Sequence, residues 1–126
     1  MSLPPIFPFA DVLLAEGTTS IATTPVPAVL VAPCSGVLRK VYAAAGGTTS
    51  GTIAVAVAVN AGSDITGGNL TIAAGSNARN NAGLDLAKIG ASAVHVNEGD
   101  VITFTPSGGT GAAIPGAFAA VIRPNK

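Results

Sequence analysis

A chain of 126 residues is the length of one ordinary domain. Six basic and six acidic side chains cancel, and charged residues make up only 10% of the chain, against roughly 25% in average composition. Hydrophobic residues reach 48%, which excludes a disordered polar chain. Arg39, Lys40, Arg79, Lys88, Arg123 and Lys126 are too scattered to give a nucleic-acid footprint.

The chain opens with Leu3-Pro4-Pro5-Ile6-Phe7-Pro8-Phe9, three prolines among four large apolar residues. Proline bars helix interiors and central strands, so residues 1–10 are expected to form an extended arm ahead of a single domain at 11–126. The segment lacks a basic stretch before an unbroken apolar core and does not read as a signal peptide. Exposed on a solitary domain, Ile6, Phe7 and Phe9 would be a liability, which makes them candidate partner contacts.

Strands are expected at 11–15, 21–24, 28–32 and 37–43, with Gly, Pro, Ser and Thr punctuating the segments between them. Cys34 falls between the third and fourth of these. A single cysteine allows no internal disulfide, and no cationic or histidine neighbour stands ready to activate it, so it reads as a structural thiol. The clearest strand is 53–59, where Ile53, Val55, Val57 and Val59 alternate with Ala54, Ala56 and Ala58. It is also the longest clean apolar run, far short of the roughly 20 residues of a membrane helix, so the chain is expected to be soluble. The alanine side is neither charged nor Thr-rich, as a solvated sheet face would be. Close approach of another layer is expected there, either within the fold or from a neighbouring subunit, and Ala54, Ala56 and Ala58 are candidate subunit-interface residues.

Asn60-Ala61-Gly62-Ser63-Asp64 reads as a turn, and a further strand follows at 69–73. From Ser76 to Ile89 a long loop is expected, with at most one helical turn around Leu84 to Ile89, because Asn80, Asn81 and Gly83 are poor helix residues. Beyond it come strands at 93–97, 101–105 and 118–123, with an excursion from Ser107 to Gly116. His95 alternates with Val94 and Val96 and reads as a surface strand residue. As a general base it would need Asp100 nearby and a nucleophile that no recognised spacing supplies. Glu98-Gly99-Asp100 reads as a turn with Gly99 at positive φ rather than as a catalytic carboxylate pair. The 60–69 loop does not match a calcium ligand pattern, and the Gly pairs lack the Lys of a phosphate loop. No catalytic, cofactor-binding or metal-ligating residues are assigned, and the chain is not expected to be an enzyme.

Some eight or nine short strands separated by turn residues read as an all-β fold, an antiparallel sandwich or barrel, and a jelly-roll-like β-sandwich of about eight strands is expected. From about Val29 to Pro124 the segments resemble small jelly-roll decoration (cement) proteins of tailed-bacteriophage capsids. The likeness lies in Ala-Pro-Cys-Ser-Gly-Val-Leu-Arg-Lys-Val-Tyr-Ala at 32–43 and Thr-Ile-Ala-Val-Ala-Val-Ala-Val-Asn-Ala-Gly at 52–62. It extends to Ile65-Thr66-Gly67-Gly68-Asn69-Leu70-Thr71-Ile72, Val96-Asn97-Glu98-Gly99-Asp100-Val101-Ile102 and the closing Val121-Ile122-Arg123-Pro124. The resemblance implies a jelly-roll homotrimer that binds the major capsid protein on the outer surface of a virion and stabilises the head, without catalytic residues. The same pattern is similar to trimeric jelly-roll fibre-tip or receptor-binding heads, which are expected to follow a shaft repeat that this sequence does not contain. A carbohydrate-binding module is the third reading. It is disfavoured because Trp is absent and Tyr42 is the only tyrosine.

Overall fold

The computed structural model describes residues 11–60, 62, 65, 69–73, 81–85 (as backbone) and 94–124. Nine strands run through them: β1 (Val12–Thr18), β2 (Ala28–Val31), β3 (Gly36–Ala45), β4 (Ile53–Val59), β5 (Leu70–Ile72), β6 (Asn81–Asp85), β7 (Val94–Val96), β8 (Val101–Ser107) and β9 (Gly116–Pro124). The described residues contain no helix. The strands form two sheets, β1-β9-β3-β6 with β7 also on β3, and β2-β8-β4-β5, with every pair antiparallel.

Both β6 and β7 lie along the same side of β3. β6 pairs with residues 40–44 and β7 with residues 36–38, so together they act as one interrupted partner. Counted so, the pairing is nested: the first strand with the last, the second with the next to last, the third with the interrupted one, and β4 with β5. The architecture is the expected all-β sandwich.

Period-two patterning explains the layers. Ile53, Val55 and Val57 of β4, Ile102 and Phe104 of β8, and Phe118, Ala120 and Ile122 of β9 are all buried between the sheets. Phe104 and Phe118 stack across the two layers at 5.1 Å between ring centroids, which fixes the middle of the core.

Two expectations are corrected. Residues 21–24 are not a strand: they bend, with Thr24 at φ 49°, and Ile21 and Ala22 turn inward to plug one end of the core. Pro25 and Pro27 stop this stretch from entering a ladder, so burial is met by a plug instead. Within the Ser76 to Ile89 stretch, 81–85 is strand backbone rather than loop or helical turn, aligned from Ala44 opposite Asn81 to Lys40 opposite Asp85. A partner strand overrides a weak local preference. The rest of that stretch, and the arm at 1–10 with Ile6, Phe7 and Phe9, lie outside the described residues.

Candidate interaction surfaces

Alternation puts the alanines of β4 on the side opposite its valines, and that side is the outer face of the sandwich. Ala54 is exposed, and Ala56 and Ala58 are half-buried. Across β8 they meet Ser107, Thr105 and Thr103, and Ala54 meets Thr71 of β5. On the other side of β8, Val29 and Val31 of β2 stand opposite Thr103 and Val101 and are exposed. This face holds no charged side chain among these residues. No described layer covers the alanines.

The other sheet also turns an apolar face outward. Ala15, Ala119 and Tyr42 align across β1, β9 and β3, with Ala117 and Ala44 one step along. They line a shallow depression of about 470 Å³ walled by Tyr42, which is exposed. A smaller recess of about 240 Å³ adjoins it beside Gly46 and Pro115.

The described charges gather mostly at the end where β1 begins and β9 finishes. Arg123 Nε donates to Asp11 Oδ1 at 3.1 Å, with both side chains well exposed. That hydrogen bond is the main reason the Asp11 carboxyl sits below its ordinary range, with Arg39 and Lys40 adding to it. The register of β3 against β9 shifts between Leu38 and Lys40. At that irregularity the Nε of Arg39 is closed off from solvent without a hydrogen-bond partner among the described residues.

At the same end, the 97–100 turn has Gly99 at φ 90°, as expected, and the Asp100 carboxylate accepts the Asn97 N–H at 2.8 Å. Asn60, at φ 56°, accepts the Val101 N–H on Oδ1 at 2.9 Å. The Asn60 side chain, followed by the Asn97 N–H, holds the Asp100 carboxyl below its ordinary range. The Asp100 carboxylate is thus engaged in a turn, while His95 is exposed on β7 opposite Val37. Cys34 is a free, half-buried thiol packed against the core. Among the described residues no three His, Cys, Asp or Glu side chains converge on a point that could hold a metal ion.

The sequence reading missed two features of these surfaces. The depression on β1, β9 and β3 joins Ala15, Ala44, Ala117 and Ala119 from distant parts of the chain; Ala43-Ala44-Ala45 and Ala119-Ala120 were its only local signal. Asn60 also bonds across to Val101, for which the turn composition alone gave no hint. Comparison with protein-family models, with curated proteins and with solved structures finds no match for this chain.

Proposed function

We propose that this chain is a structural virion protein, a capsid decoration protein that assembles as a homotrimer and binds the outer surface of a viral head. The observation that carries the reading is the outer face built by β4 and β8, where Ala54, Ala56 and Ala58 lie among Thr and Ser with no charge between them. The Thr and Ser on β5 and β8 suit a solvated face, but the alanines and the exposed Val29 and Val31 beside them, with no charge between, suit the charge-depleted core of a protein interface. The nested strand pairing, read as a jelly roll, supports the resemblance to decoration proteins drawn from the sequence. With no net charge, the copies have little mutual repulsion to overcome.

The test is sedimentation of the full chain, followed by co-sedimentation with empty tailed-bacteriophage capsid shells. The wild type is expected to run as a trimer and to pellet with the shells. Ala56→Asp should keep the fold while losing the trimer or the shell, since it charges an outward face. A monomeric wild type that ignores the shells would overturn the reading.

A further inference from the structure

We propose that β1 joins two copies of this chain, pairing antiparallel with the β1 of a second copy so that one sheet continues into the next molecule. This goes beyond the trimer proposed above and would link one assembly to another. Among the described residues β1 has a neighbour, β9, on one side only. Natural sheets guard such an edge with proline, charged side chains, a bulge or a very short strand. Of these β1 has one charge, Glu16, opposite the buried Phe118; its seven residues, Val-Leu-Leu-Ala-Glu-Gly-Thr, otherwise run uncharged and in unbroken register with β9.

The free ladder groups can be assigned. The Gly17 N–H donates to the side chain of its own neighbour, Glu16 Oε1, at 3.3 Å rather than to β9. Since the bonding direction alternates along an antiparallel strand, Leu13 and Ala15 also point their N–H and C=O groups to the open edge. Leu13, 66% exposed on β1, and Val26, 43% exposed on the connector to β2, put apolar side chains beside this edge, while the exposed Val29 and Val31 face outward from the other sheet. The Thr18 hydroxyl holds that connector to β1 by donating to the Val26 carbonyl at 2.7 Å.

A second copy of β1 fits this edge. A two-fold axis perpendicular to the sheet keeps outward faces outward, and centring it on Ala15 overlaps the whole strand. Leu13 then lies opposite Gly17, which offers no side chain to collide with it, and Glu16 lies opposite Leu14. The outward groups of Leu13, Ala15 and Gly17 all meet their mates. Centring on Glu16 instead would set two carboxylates face to face, which is unfavourable.

Sedimentation velocity of the full chain over a wide concentration range tests this. The wild type should show its base assembly and, at higher concentration, a species of twice that mass. Ala15→Pro removes an edge N–H while leaving the β9 ladder bonds, so it should abolish the doubled species and spare the fold. Should that proline disturb folding, Leu13→Lys, which leaves the backbone unchanged, should weaken the doubling at least tenfold. Doubling that survives Leu13→Lys in folded protein, or a wild type that never doubles, would overturn the pairing. A trimer that does not double sinks the pairing alone. A monomer that doubles through β1 sinks the trimer and sustains the pairing.

Discussion

Where β1 passes to β2, β3 to β4 and β8 to β9, the connections at 19–27, 46–52 and 108–115 contain no charged residue. Ile21, Ala22 and Ile114 are buried there, and main-chain bonds tie the loops together: Ile21 N–H to Ile114 at 2.8 Å, Gly46 N–H to Pro115 at 2.8 Å and Thr110 N–H to Ser50 at 2.8 Å. The buried Thr49 hydroxyl donates to the Ala73 carbonyl at 2.9 Å. The opposite end has main-chain ties as well, Ala32 N–H to Asp100 and Gly99 N–H to Ala32 at 2.8 Å and Asn60 N–H to Val101 at 2.7 Å, and adds charged and amide side chains: the Asp11–Arg123 pair and the Asn60, Asn97 and Asp100 cluster. Burial is indifferent to pH over the range where carboxylates titrate, and exposed carboxylates are not. One sandwich thus carries two kinds of stability, separable by mutation.

The largest effect is expected at the uncharged end. Ile21 is wholly inaccessible, so Ile21→Ala should cost about 2–5 kcal/mol by lost burial and the cavity left behind. Urea unfolding measures it, and a loss below 1 kcal/mol would mean that the plug is dispensable. A Cβ on Gly116 would collide with Ile21 Cγ2. Gly116→Ala should therefore cost about 1–3 kcal/mol alone, by overpacking. It should cost less once Ile21 is alanine, because the collision is gone. Strict additivity in that double-mutant cycle would show that the two residues do not share the space assigned to them.

A smaller effect is expected at the charged end. Asn60→Ala keeps a Cβ in left-handed backbone but loses the amide that makes asparagine tolerant of it, and leaves the Val101 N–H without its side-chain acceptor, together about 1–3 kcal/mol. Asn60→Gly loses the same side-chain interactions with Val101 and Asp100 but frees the left-handed backbone of its Cβ, and should fall between the alanine variant and the wild type. Equal losses for the two would show that the backbone conformation contributes nothing.

The contrast between these ends was only partly legible in the sequence. Strands such as Ile53–Val59 were readable because burial on one face imposes alternation on the residues themselves. β6 was not, since Asn81-Ala82-Gly83-Leu84-Asp85 has no alternation and owes its conformation to β3. Ile21 to Thr24 misled for the opposite reason: its β-forming residues are buried by turning inward at a bend, not by pairing. The alanine side of β4 followed from local alternation, but whether the fold covers that side depends on strand order, which no local pattern encodes. The open edge of β1 depends on the same long-range order. The charged end was read in pieces, with the 98–100 turn anticipated and its tie to Asn60 not.

The smallest and sharpest difference between the ends is in acid. Asp11 and Asp100 both have carboxyl groups held below the ordinary 3.8, Asp11 chiefly by the Arg123 hydrogen bond and Asp100 chiefly by Asn60 and then the Asn97 N–H. A lowered folded-state value means that the unfolded chain binds protons first as pH falls. Their contribution is therefore complete above the ordinary value and is lost as pH drops below it through the folded values. Asp11 is exposed and Asp100 only half-buried, so the effect is modest and screened by salt. Thermal midpoints measured between pH 2 and 7 should be level above about pH 5 and decline below about pH 4 as far as these groups are concerned. In Asp100→Asn the decline should be shallower, because an amide still accepts the Asn97 N–H but does not titrate. Ile21→Ala should lower the whole curve without changing that slope, since nothing near it ionises. If Asp100→Asn keeps the wild-type slope while Ile21→Ala alters it, the assignment of the two chemistries to the two ends is wrong.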